Sequence, residues 1–178
     1  MKNILFIHVP KTAGSTIYKS FNLDRIVRHA TINYLQIKKN IDINEYWIIG
    51  SVRNPWVRTV SLYNWCKIVG NHNLEWKTWL YDSPLVGHLH YQDELNNNPL
   101  KQVNYFLDKD GNVAVDEVIQ LENIKNDIKK SNYLNGKIHN KNIRNTSTGW
   151  KIYYDLEDIE YIREQSLWEI DKFGYKFE

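Results

Sequence analysis

The sequence predicts an α/β fold, with a central, mainly parallel sheet flanked by helices. Three observations carry this. Residues 3–9 (NILFIHV) and 46–52 (YWIIGSV) are short apolar runs without polar alternation, the pattern of strands buried on both faces. Each is followed at once by a polar turn and a helix-opening signal. The order strand, loop, helix, strand, helix makes at least two strands parallel. The chain has 178 residues, a length suited to one domain that buries its core without staples.

The first strand runs into PKTAGST, where Gly14-Ser15-Thr16 opens a helix to about Phe21, with Ile17 and Phe21 at i, i+4 spacing. Residues 28–38 (RHATINYLQIK) read as a second helix with Thr31 as its candidate cap. After the second strand, Asn54-Pro55 starts a long helix, because proline suits the first helical turn; it carries Val57, Val60, Leu62, Tyr63 and Trp65 and ends near Gly70. A short helix is expected around residues 74–80, and an irregular loop follows it. Residues 103–107 and 113–121 flank Asp108-Lys109-Asp110-Gly111, a hairpin-like turn signal. Amphipathic helices are expected over 122–134 and 155–172. The last has Ile159, Ile162, Leu167 and Ile170 on its apolar side, with Gly174 just beyond its end.

Composition removes several function classes. Twenty-three basic and 21 acidic residues give a formal charge of +2, too small to argue nucleic-acid binding. The single cysteine, Cys66, rules out an internal disulfide framework, and its setting in LYNWCKIVG points to buried packing rather than nucleophilic chemistry. No apolar run approaches the ~20 residues that span a bilayer. The apolar stretch in MKNILFIHVP is too short for a signal peptide, so a soluble, cytoplasmic protein is expected.

The chemistry-bearing residues gather behind the two strands, where open α/β sheets bind ligands. Helix N-termini present free N–H groups and a partial positive charge, so PKTAGST suits an anion, with Lys11 adding a full charge and Ser15 and Thr16 hydroxyl donors. Its lysine precedes the glycine, unlike the nucleotide-binding G-x-x-x-x-G-K-[ST] loop. An ordinary strand-to-helix turn with a polar cap is the plainer alternative. SVRNPWVRTVSLYNW repeats the logic: Arg53 ends a strand, and with Ser61 can grip a second phosphate through its forked guanidinium. A surface ion pair is the plainer reading of Arg53, and Arg58 reads as a solvated or salt-bridging helix residue.

Together these loops, HVPKTAGST and SVRNPWVRTVSLY, resemble those of the PAPS-dependent sulfotransferases, in the branch of heparan sulfate 2-O-sulfotransferase and related carbohydrate sulfotransferases. The family patterns are H-x-P-K-T-[AG]-[GS]-[ST]-[ST] and [FV]-[VI]-R-[ND]-P-x-x-R-x-[VL]-S-x-[YF]. RHATINY, VIQLENIKND and NTSTGWKIYYD with DKFGYKF resemble further family segments in the same order. The likeness spans most of the chain except roughly residues 66–98. It implies a single sulfotransferase domain over 1–178, a P-loop-like three-layer sandwich, with 66–98 as an acceptor-site insertion.

The resemblance implies 3′-phosphoadenosine 5′-phosphosulfate (PAPS) as donor, the bisphosphate PAP as product, and no metal. Lys11, Thr12, Ala13, Gly14, Ser15 and Thr16 would hold the 5′-phosphosulfate, with Lys11 also neutralising the leaving phosphate. Arg53 and Ser61 would hold the 3′-phosphate, and Arg144, Asn145 and Ser147 would close over the nucleotide. His29 sits where the glycan enzymes place their catalytic histidine, and an imidazole near neutrality suits removal of a hydroxyl proton. His8 reads as structural, while His72 and His139 carry no argument. His88, His90, Gln102 and Glu122 are candidate acceptor contacts, with Glu122 alternatively orienting a basic residue. His88-x-His90 with Asp93 also raises a metal reading that nothing downstream completes.

The acceptor is expected to be a hydroxyl of a carbohydrate. Trp76, Trp79, Tyr81 and Tyr91 either stack on sugar faces or pack. Two other functions compete: a P-loop small-molecule kinase, which needs a lysine after the glycine and a magnesium-binding Asp, and a non-catalytic nucleotide- or glycan-binding module.

Overall fold

The computed structural model describes residues 2–23, 26, 28–69, 73–82, 98–134 and 149–178. Three strands form one parallel sheet in the order β1 (Asn3–Ile7), β2 (Tyr46–Val52), β3 (Glu117–Gln120). Ile7 pairs with Gly50, and Val52 with Gln120, so the carboxyl ends of adjacent strands lie side by side. Seven α-helices accompany the sheet among the described residues: α1 (Gly14–Phe21), α2 (Ile32–Lys39), α3 (Pro55–Val69), α4 (Trp76–Asp82), α5 (Ile124–Lys130), α6 (Leu156–Gln165) and α7 (Leu167–Phe173).

Strand side chains alternate between two cores, as a period of two requires. Leu5, Ile7, Ile48 and Val52 join α2, α3, α4 and α6 in the larger cluster. Phe6, Ile49 and Ile119 join Ile17 and Tyr18 of α1 and Ile124 and Ile128 of α5 in the smaller one. Helices therefore cover both faces of the sheet. This explains why both main strands are apolar throughout. Among the described residues no helix is long and apolar enough to cross a membrane.

The expected elements are present with four differences. The second helix begins at Ile32 rather than residue 28, because the Thr31 hydroxyl caps it by accepting from the Tyr34 N–H at 3.0 Å. The hairpin is reduced to one antiparallel bridge, Leu107 to Val113. Its first arm folds instead into a 3-10 turn at Val103–Phe106, and its second becomes β3, parallel to β2. Residues 121–123 form a 3-10 turn before the shorter α5, which ends at Lys130. The C-terminal helix breaks at Ser166 into α6 and α7, leaving Leu167 55% exposed.

Candidate functional site

The loop between β1 and α1 has an alternating backbone hand. Lys11 (φ 70°) and Ala13 (φ 62°) are left-handed, and Thr12 between them is not. Such alternation turns successive N–H groups into one concavity, the nest that binds anions. Left-handed backbone costs roughly 1–3 kcal/mol at a non-glycine residue. Asn22 and Asn40 also have positive φ, but both sit at helix C-termini, where asparagine tolerates it. The remaining case is His29 (φ 61°). Among the described residues, costly backbone away from helix C-termini thus falls in the loop and at the histidine expected to serve it.

The loop's carbonyls are drawn inward. The Thr12 hydroxyl donates to the Val9 carbonyl at 2.7 Å, and lies 2.6 Å from the Ser51 hydroxyl on β2. Arg58 Nε donates to the Pro10 carbonyl at 3.0 Å, and Arg53 Nη1 lies 3.5 Å from the Lys11 carbonyl. The Ala13 carbonyl accepts from the Thr16 and Ile17 N–H groups at 2.8 and 3.3 Å. In a planar trans peptide the N–H points opposite its carbonyl. Inward carbonyls at Pro10, Lys11 and Ala13 therefore aim the N–H groups of Lys11, Thr12 and Gly14 outward. No side chain caps the α1 N-terminus, whereas Thr31 caps α2 and an Asp155 capping box closes α6. An N-terminus without a side-chain cap, beside a nest, is chemically an acceptor of negative charge.

Helix α3 runs along this loop. Arg58 reaches Pro10, and the Lys11 Nζ lies 5.8 Å from the centroid of the Trp65 ring. Ser61 falls between them at i, i+3, i+7 spacing and shares the loop-facing side of the helix, half-buried. Arg53, at the carboxyl end of β2, is 7% exposed. Gln102 brackets its backbone, accepting from the Arg53 N–H at 3.0 Å and donating to its carbonyl at 2.9 Å. Burial pulls the Arg53 guanidinium below its usual value, with Glu122 opposing. A guanidinium stays charged at neutral pH, so a partly desolvated cation lies beside the Lys11 carbonyl.

His29 is 9% exposed, and its Nδ1 lies 3.0 Å from the His8 carbonyl. Arg28 Nε can only donate, and it points at His29 Nε2 from 3.2 Å. Nε2 is therefore the acceptor and Nδ1 carries the proton to the His8 carbonyl, the arrangement that orients a basic imidazole. The His8 and His29 rings lie 4.2 Å apart, and the His8 ring covers Gly14 so tightly that a Cβ there would come 2.0 Å from His8 Cδ2. The imidazole of His29 thus joins the start of α1 through one intervening ring. His8 also meets Phe6 and Tyr18, in keeping with its structural reading.

Several sequence expectations change. Thr12 is fully buried and its hydroxyl is engaged with the Val9 carbonyl, which leaves its N–H as its contribution to the nest. Gln102 is 0% exposed, with both ends of its amide on the Arg53 backbone, while Glu122 is exposed and bonds the second loop. Glu122 accepts from the Asn54 N–H at 2.8 Å and the Tyr175 hydroxyl at 2.9 Å. Arg58 is not solvated but 0% exposed, and spends its fork on the carbonyls of Pro10, Leu100 and Pro99. Trp76 and Trp79 pack in the larger core, and Tyr81 bonds Asp158 at 2.9 Å. Burial pushes the Cys66 thiol up to about 12, with Lys11 and Arg58 opposing, so it is neutral at physiological pH. The sequence did not single out Trp65 as a loop neighbour. The signal was its spacing of four from Ser61 and seven from Arg58. His72, His88, His90, Tyr91, Asp93, His139, Arg144, Asn145 and Ser147 lie outside the described residues.

Comparison of the chain with protein-family models, with curated proteins and with solved structures finds no match.

Proposed function

We propose that this chain transfers the sulfuryl group of PAPS to a hydroxyl of a carbohydrate acceptor, on a P-loop-like three-layer sandwich. One observation carries the reading: the two anion grips named from the sequence meet at one edge of the sheet. The Lys11 loop and Arg53 close the carboxyl ends of neighbouring parallel strands, with the Arg53 guanidinium 3.5 Å from the Lys11 carbonyl. Two distinct but adjacent grips suit a nucleotide with phosphates on the 3′ and 5′ positions of one ribose. The residues present fit it, since the loop turns N–H groups outward and its carbonyls inward.

When bound, PAPS supplies an activated sulfuryl group on a good leaving phosphate. Lys11, Ala13, Gly14, Ser15 and Thr16, with the Thr12 N–H, hold the 5′ end, and Arg53 with Ser61 holds the 3′-phosphate. The Lys11 ammonium neutralises charge that develops at the bridging oxygen, an electrostatic contribution of the oxyanion-hole kind. With the Arg28 Nε–H displaced from it by the acceptor hydroxyl, His29 Nε2 takes the hydroxyl proton as that oxygen attacks, and the His8 carbonyl, accepting from Nδ1, steadies the imidazolium formed. Replacing Lys11 by alanine should slow transfer on the order of 10²–10³-fold. Unchanged single-turnover rates would remove that role.

Calorimetry separates this reading from its rivals. PAP should bind in the absence of magnesium, and ATP with magnesium should not compete. Tight magnesium-dependent ATP binding without PAP binding would instead mark a kinase. PAP binding without sulfate transfer to any carbohydrate would mark a binding module.

A further inference from the structure

Among the described residues Arg58 is the largest charged side chain at 0% exposure, and three backbone carbonyls accept from its guanidinium. Nε donates to Pro10 at 3.0 Å, Nη1 to Leu100 at 3.2 Å and Nη2 to Pro99 at 2.8 Å. Placing a guanidinium in the interior is costly, and packing α3 against residues 99–100 alone could be done by an apolar side chain. The bond to Pro10 has a consequence that apolar packing would not reproduce. It fixes the orientation of the Pro10–Lys11 peptide, whose N–H is the first donor of the nest. It also polarises that peptide, since a charged donor on the carbonyl strengthens the N–H opposite.

We infer that Arg58 is a positioning residue for anion binding. It turns the Lys11 N–H toward the ligand, sets the left-handed Lys11 backbone, and adds positive potential from beneath the loop. The inference rests on the reading of this loop as an anion site, but not on the identity of the donor. By joining Pro10 to Pro99 and Leu100, the same fork also ties the loop to the chain that follows residues 83–97.

The test is amide NMR of the full chain, labelled with nitrogen-15 and titrated with PAP and, separately, with inorganic pyrophosphate. In the unsubstituted protein the Lys11 and Thr12 amide resonances should move with either ligand that binds. Arg58→Met should weaken binding about tenfold, equivalent to one hydrogen bond to a charged group, and abolish the Lys11 amide response in the folded protein. Arg58→Lys keeps the charge without the fork. It should recover part of the affinity but not the Lys11 response. If Arg58→Met does not fold, Arg58→Lys carries the test through that response alone. Variants that lose stability yet bind with unchanged affinity and an unchanged Lys11 response would reduce Arg58 to packing and overturn the inference. Pyrophosphate binding without PAP binding would defeat the sulfotransferase reading, and the Arg58 variants would then be judged on pyrophosphate. No response to either ligand would overturn both.

Discussion

At the scale of single residues, Gly14 joins the anion loop to the imidazoles. A methyl group there would collide with the His8 ring at 2.0 Å, and that ring lies against His29. Gly14→Ala should therefore cost about 1–3 kcal/mol in denaturant unfolding, the range for overpacking a filled site. Adding His8→Ala should return much of that loss by making room. A Gly14→Ala protein as stable as the parent would show that His8 yields freely. His29 itself predicts a kinetic effect. His29→Ala should lower turnover about 10²–10⁴-fold while calorimetric PAP affinity stays the same. Near-normal turnover with intact PAP binding would exclude it as the base.

At the scale of elements, strands and caps were legible locally, and the longer-range choices were not. Asn54-Pro55 announced α3 because its chemistry is local: the Asn54 side chain accepts from the Val57 N–H at 3.3 Å. The Asp108–Gly111 turn was also legible, since Asp108 Oδ1 accepts from the N–H groups of Asp110 and Asn112 at 2.9 and 2.8 Å. The strand after it pairs with β2 instead of folding back, because Asp116 takes the Ile48 N–H on its carboxylate at 2.7 Å and registers the chain beside β2. Nothing in the local pattern of 113–121 encodes that partner. Arg58 was misread for the same reason, because its acceptors lie 41, 42 and 48 residues away. The break at Ser166 was hidden too. It begins α7 on a new path that buries Glu169, where Oε1 accepts from the Val103 N–H at 3.0 Å and Oε2 has no hydrogen-bond partner. Burial raises the Glu169 pKa above its ordinary value, against the pull of Arg58 and the backbone donors. The folded protein therefore holds this proton more tightly than the unfolded chain. Its stabilising contribution is complete below the ordinary carboxyl pKa and is lost as pH rises through the folded value. Glu169→Gln keeps the acceptor and removes the titration. Its unfolding free energy should fall less than the parent's between acid and neutral pH. Parallel pH profiles for the two proteins would contradict this account of Glu169.

At the scale of the whole molecule, a three-stranded parallel sheet covered on both faces brings two loops to one edge. Helix α3 then joins them, with Arg53 just before it and Arg58, Ser61 and Trp65 along its loop-facing side. A ligand that bridges both loops should stabilise the folded state by mass action, by about 2.7 kcal/mol at a hundredfold excess over its dissociation constant. PAP should thus raise Tm, and adenosine without phosphates should not. A rise with adenosine equal to that with PAP would argue against two phosphate grips. The central claim is transfer itself, and it is tested most directly by incubating the full chain with sulfur-labelled PAPS and a panel of carbohydrate acceptors. The account predicts label on a carbohydrate hydroxyl with stoichiometric release of PAP, both lost in His29→Ala. PAP binding without label on any acceptor, or transfer unaffected by that substitution, would contradict it.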